Sequence, residues 1–137
     1  MNKLIALSIF LLATATHATL SEKWVKVSID EYGETFVNSN HIKNVAGYPS
    51  VVEYGYKYTY KYGVPSLQIA PKGYIQAIHQ INCKNRTKAI IMSQRFKPNG
   101  KAIDTETPFS TVYFEPIYDS HTDIMKVYKY VCKAKKF

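Results

Sequence analysis

From Val51 to Tyr62 the chain alternates with a period of two. Val52, Tyr54, Tyr56, Tyr58, Tyr60 and Tyr62 fall on one side, and Glu53, Gly55, Lys57, Thr59 and Lys61 on the other. Side chains of an extended backbone point to opposite faces in turn, so the run predicts a β-strand with a tyrosine face. Tyrosine suits a pleated, half-buried surface. Such a run would span about 40 Å, long for one strand, and Gly55 marks the expected bulge or bend.

The same pattern predicts the flanking elements. Trp24 to Ile29 alternates and reads as a first strand, Asp30-Glu31-Tyr32-Gly33 as a turn, and Glu34 to Val37 as a short second strand. A polar link begins at Asn38-Ser39-Asn40, with a single helical turn expected at Ser39 to Ile42. Pro65 must end the tyrosine strand, because it has no N–H to donate. Gly63 to Gly73, rich in proline and glycine, reads as a surface loop. Tyr74 to Cys83 resumes the alternation, with Ile75, Ala77, His79, Ile81 and Cys83 on the better core face. A tight turn at Lys84-Asn85-Arg86-Thr87 leads into Lys88 to Phe96, the clearest hairpin in the chain. Pro98-Asn99-Gly100-Lys101 is a turn, Lys101 to Ser110 a loop, and Thr111 to Phe114 a last short strand.

The period then changes. Ile124, Val127, Tyr128 and Val131 follow at i, i+3, i+4 and i+7, the spacing of an amphipathic helix. Asp119 or Ser120 is the expected N-cap, and Asp123 suits the first turn. Cys132 falls on the edge of the apolar face, within reach of a sheet. The predicted class is α+β: about six antiparallel strands, with a C-terminal helix disulfide-tied across one face.

Composition adds an address. Residues 1–18 combine a basic start at Lys3, an apolar stretch from Leu4 to Ala13, and Thr16-His17-Ala18. This is the pattern of a secretory signal peptide, cleaved after Ala18 or, alternatively, after Ala15. No cysteine stands at either site to carry a lipid anchor, and no other run approaches a membrane span. Residues 19–137 then form one domain. Cys83 and Cys132 are the two cysteines of the chain, and an even count in an exported protein predicts a disulfide. The formal net charge of +8 favours acidic polyanions such as anionic headgroups, sulfated glycans or acidic protein patches. Export argues against nucleic acid.

Catalytic chemistry is not visible in the residues. His41, His79 and His121 have no zinc-motif spacing, the acidic residues are scattered over turns, and phosphate-binding glycine loops are missing. His79, on the apolar face of a strand, reads as a core histidine before a ligand. No enzyme activity, metal or cofactor is expected. The candidate binding residues are Tyr54, Tyr56, Tyr58, Tyr60 and Tyr62, bordered by Lys57 and Lys61, because tyrosine joins an apolar body to a polar tip. The alternative is that these tyrosines only pack against whatever covers their face.

The order of features is also informative. Trp24-Val25-Lys26-Val27 opens the first strand, the Asn/Ser link ends at Ile42, the tyrosine strand follows, and Cys83 closes a strand. Phe114-Glu115-Pro116-Ile117 and a helix ending in Val131-Cys132 complete the chain. This arrangement resembles the surface-adhesin protein E family of Gram-negative bacteria over nearly all of residues 19–137. The resemblance implies a six-stranded antiparallel sheet with a disulfide-tied C-terminal helix. It also implies a homodimer, for which an uncovered sheet edge would leave room, and binding of host vitronectin, laminin or plasminogen. The absence of a lipidation cysteine departs from the family's namesake, a surface lipoprotein. The expected function is that of a noncatalytic exported binding protein, periplasmic or at the cell surface. The alternative is a periplasmic cell-envelope protein, or an inhibitor of an envelope-directed enzyme.

Overall fold

The alternating segments pair in chain order as an antiparallel meander. The computed structural model describes residues 22–105, 107–109 and 111–134; the expected signal peptide and its cleavage sites lie outside these residues. Five main strands, β1 (Trp24–Ile29), β2 (Gly33–Val45), β3 (Tyr48–Tyr60), β4 (Tyr74–Asn82) and β5 (Thr87–Phe96), lie side by side in that order. Two short strands, β6 (Thr107–Pro108) and β7 (Glu115–Pro116), both pair with the outer edge of β5. Helix α1 (Thr122–Ala134) follows. The antiparallel sheet with one C-terminal helix packed on it is the class expected from the sequence.

Tight turns set the hairpins. Asp30 Oδ1 accepts hydrogen bonds from the Tyr32 and Gly33 amides at 2.7 and 2.8 Å, closing the β1–β2 turn. Asn82 Oδ1 does the same for the Lys84 and Asn85 amides, both at 3.0 Å, between β4 and β5. Both are side chains standing in for backbone acceptors, a habit of Asp and Asn in turns.

Three local expectations are corrected. The second strand is not short: it runs on to Val45, and no helical turn forms at Ser39 to Ile42. The irregularity expected at Gly55 lies on the facing strand instead. Asn38 pairs with Gly55 and Ile42 with Tyr54, so Ser39, Asn40 and His41 bulge out of β2, while β3 and β4 stay in unbroken register from Val51 to Thr59. Asn38 Oδ1 steadies the bulge by accepting from the Lys23 and Asn40 amides, both at 3.1 Å. Gly55 is needed for close approach: a Cβ there would stand 2.9 Å from Asn38 Cβ. Finally, residues 111–114 form no strand. Val112, Tyr113 and Phe114 are exposed, and the edge of β5 pairs with residues on either side of them.

Helix α1 starts with His121 as its cap, whose carbonyl accepts the Met125 amide at 2.9 Å; neither Asp119 nor Ser120 takes that place. Val127 and Val131 are fully buried against Val37, Val52, Tyr54, Ile81 and Ile117. Each buried valine contributes about 1.5–3 kcal/mol relative to exposure. Ile124, Tyr128 and Cys132 flank them, so the whole expected apolar face points at the sheet. Cys83 and Cys132 form the disulfide, with Cα atoms 5.7 Å apart. Beside it, the Tyr128 hydroxyl donates to the Cys83 carbonyl at 2.8 Å. The helix packs mainly over β1, β2 and β3 and, apart from Ile81 of β4, which it covers, leaves the β4–β5 part of this face open.

Candidate functional site

The uncovered half-face is a cleft floored by β3, β4 and β5. Its inner part, beside the start of α1, has a volume of about 420 Å³ and is bordered by Asp30, Tyr56, Tyr58, His121 and Asp123. Its outer part, about 400 Å³, runs on past Tyr60, Ile75, Ile90 and Phe109. Tyr56, Tyr58, His79 and Lys88 line both parts.

Cross-strand register explains this assembly. Residues directly opposite share a face. Tyr54 pairs with His79 and Tyr58 with Ile75, while His79 pairs with Ile90 and Ile81 with Lys88. The His79 ring stacks on Tyr56, with centroids 4.3 Å apart, and meets Tyr54 edge-on at 5.6 Å. Its Nδ1 lies 3.3 Å from the Tyr54 hydroxyl. Burial, with a smaller push from the Lys88 charge, lowers the His79 pKa to about 3. The imidazole is therefore neutral at ordinary pH, as expected for a core histidine.

The tyrosine hydroxyls are similarly constrained. Burial raises the Tyr56 pKa to about 12, despite a hydrogen bond with Thr35. Tyr58 donates to the Asp30 carboxylate at 2.9 Å, and burial together with that carboxylate pushes its pKa up further. Burial raises the Asp30 pKa as well, but hydrogen bonds from the Tyr32 amide, the Tyr58 hydroxyl and the Gly33 amide outweigh it and hold the carboxyl below its ordinary value. Ser28 donates to Asp123, so both carboxylates at the inner end are already engaged. Tyr58 and Tyr60 meet edge to face, with centroids 4.8 Å apart.

The seven residues singled out from the sequence do not share one surface. Tyr56, Tyr58 and Tyr60 come together in the cleft. Tyr54 is fully buried in the core. Tyr62 lies beyond the end of β3, exposed, with the Lys61 ammonium 5.2 Å from its ring centroid. Lys57 points to the opposite face, where its ammonium stands 4.6 Å from the Trp24 ring centroid and 4.7 Å from that of Phe36; burial lowers its pKa. The lysine in the cleft is Lys88, which sequence reading passed over. Its signal was the hairpin register, since Lys88 pairs with Ile81 on the face already assigned to the core. Glu53, isolated in sequence, holds His41 at 3.1 Å, Lys43 at 3.3 Å and Gln80 at 3.1 Å on the far face.

Fold and cleft together define a class: an antiparallel sheet carrying one disulfide-tied helix, with half of its helix-side face open. No protein-family model matches the chain, and no curated protein matches it. Among solved structures it is similar to protein E of Haemophilus influenzae, at 10% identity with a TM-score of 0.52, over 85% of this chain and 96% of that one. A second crystal form of the same protein aligns with a TM-score of 0.53 at 10% identity, over 80% of this chain and 96% of that one. The likeness is one of fold. Among the described residues, no helix is long and apolar enough to cross a membrane.

Proposed function

We propose that this chain is an exported, noncatalytic protein-binding module of the adhesin E type, and that it holds its partner in the cleft beside α1. The observation carrying this reading is the half-covered face: Tyr58, Tyr60, Ile75, Ile90 and Phe109 gather around an open groove of about 400 Å³. Clustered aromatic and aliphatic side chains beside charged groups are typical of protein-binding surfaces. A neutral His79 with a pKa of about 3 is a poor general base near neutral pH, which supports holding over reacting. The disulfide suits an oxidising compartment, and the fold likeness to protein E supports an adhesin-like kind. Host vitronectin, laminin or plasminogen are the partners this reading nominates.

The test has two arms. Surface labelling of intact cells should tag the protein; complete protection would reject a host-facing role and favour the periplasmic envelope reading. Capture on immobilised vitronectin, laminin and plasminogen should fall at least tenfold in a Tyr60→Ser/Phe109→Ser variant that melts like the parent. Undiminished capture by that variant would remove the cleft from the account.

A further inference from the structure

We propose that the outer part of the cleft receives a carboxylate carried beside an apolar side chain, so that the partner enters with an acidic, apolar segment. This rests on the reading of the cleft as the partner-binding surface and names the chemistry it selects.

Two donors in the groove are unclaimed. Lys88 borders both parts of the cleft, yet among the described residues it makes no ion pair. Glu115 stands across from it in the β5–β7 pairing but does not come within salt-bridge distance. The second donor follows from the Tyr54–His79 contact. Tyr54 is fully buried, and among the described residues its hydroxyl hydrogen-bonds to His79 Nδ1, at 3.3 Å. Were Nδ1 protonated, the phenolic proton would be buried without an acceptor, at a cost of about 1–3 kcal/mol. Tyr54 therefore donates to Nδ1, which assigns the ring proton to Nε2. His79 is 4% exposed and lines the cleft, and among the described residues its Nε2 has no hydrogen-bond partner. An N–H at the cleft wall with no protein acceptor is a group that a ligand can satisfy.

The surroundings select the rest of the guest. Around the outer part the walls are Tyr60, Ile75, Ile90 and Phe109, and the charged group lining it is Lys88. The acidic residues stand at the inner end, engaged by Ser28, Tyr58 and the β1–β2 turn. An anionic head therefore points to Lys88 and His79, and its apolar neighbour lies along Ile75 and Ile90. The formal net charge of +8 for the whole chain matches an acidic partner.

The experiment uses the full exported chain, disulfide intact and isotope-labelled, followed by nuclear magnetic resonance. Two capped tripeptides are titrated, Phe-Glu-Leu and its neutral counterpart Phe-Gln-Leu. The Glu peptide should shift the His79 Nε2–H and the Ile75 and Ile90 methyl signals, and bind about tenfold tighter than the Gln peptide. Lys88→Gln should erase that difference. Ile90→Glu, which places a carboxylate beside Lys88 on a partly exposed site, should weaken the Glu peptide about tenfold without lowering the melting temperature. Equal binding of the two peptides, shifts elsewhere on the surface, or a difference that survives Lys88→Gln would overturn the inference. No binding of either peptide, with capture of a whole partner protein retained, would overturn it too and leave the proposed function standing.

Discussion

His79 shows what one residue contributes to both stability and the site. Its folded pKa of about 3 lies below the ordinary histidine value of 6.5, so from pH 6.5 down to about 3 the unfolded chain binds a proton that the folded chain refuses. Stability is thus full above pH 6.5 and is lost on acidification, by about 1.4 kcal/mol per pH unit for this one group. Between pH 7 and pH 5 the protein should lose about 2 kcal/mol by this route. A His79→Phe variant compared with its parent by urea unfolding at both pH values should show a slope flatter by that amount. Gly55 makes a different demand, for space. Gly55→Ala sets a methyl group 2.9 Å from Asn38 Cβ and should cost about 1–3 kcal/mol, measured as a lower denaturation midpoint at unchanged m-value.

Elements were legible where a single period ran uninterrupted. The β4–β5 hairpin and the face Ile124, Val127, Tyr128 and Val131 follow from spacing, because a buried stripe leaves its period in the sequence. Strand β2 was cut short because Ser39, Asn40 and His41 bulge out of the ladder and break the alternation, although pairing resumes at Ile42. Residues 111–114 misled for the converse reason: apolar β-formers there stay exposed. The site was legible only in part. Alternation put Tyr56, Tyr58 and Tyr60 on one face, but it takes pairing between distant strands to place Lys88 among them. The helix itself is held by two buried valines and a bond closing a separation of 49 residues. A Cys83→Ala/Cys132→Ala double variant should therefore lose about 4 kcal/mol, by the chain-entropy estimate for a loop of that length. Chemical denaturation of both forms under non-reducing conditions measures it.

At the scale of the whole molecule, charge and asymmetry dominate. One side of the sheet is half roofed by α1; the other carries Trp24, Phe36 and Lys57 without a helix. With a formal net charge of +8, association with an acidic partner should weaken about tenfold between roughly 0.05 and 0.5 M salt, read from association rates at each ionic strength. A neutral, purely apolar contact would show no such decline. The ammonium of Lys57 over Trp24 has a practical consequence. Trp24 is the sole tryptophan and lies across the sheet from the cleft, so its fluorescence is a built-in optical gauge of whether β1 and β3 remain together. Emission should change as the chain unfolds yet stay constant when the groove beside α1 fills, and that separates a guest that occupies the protein from one that dismantles it.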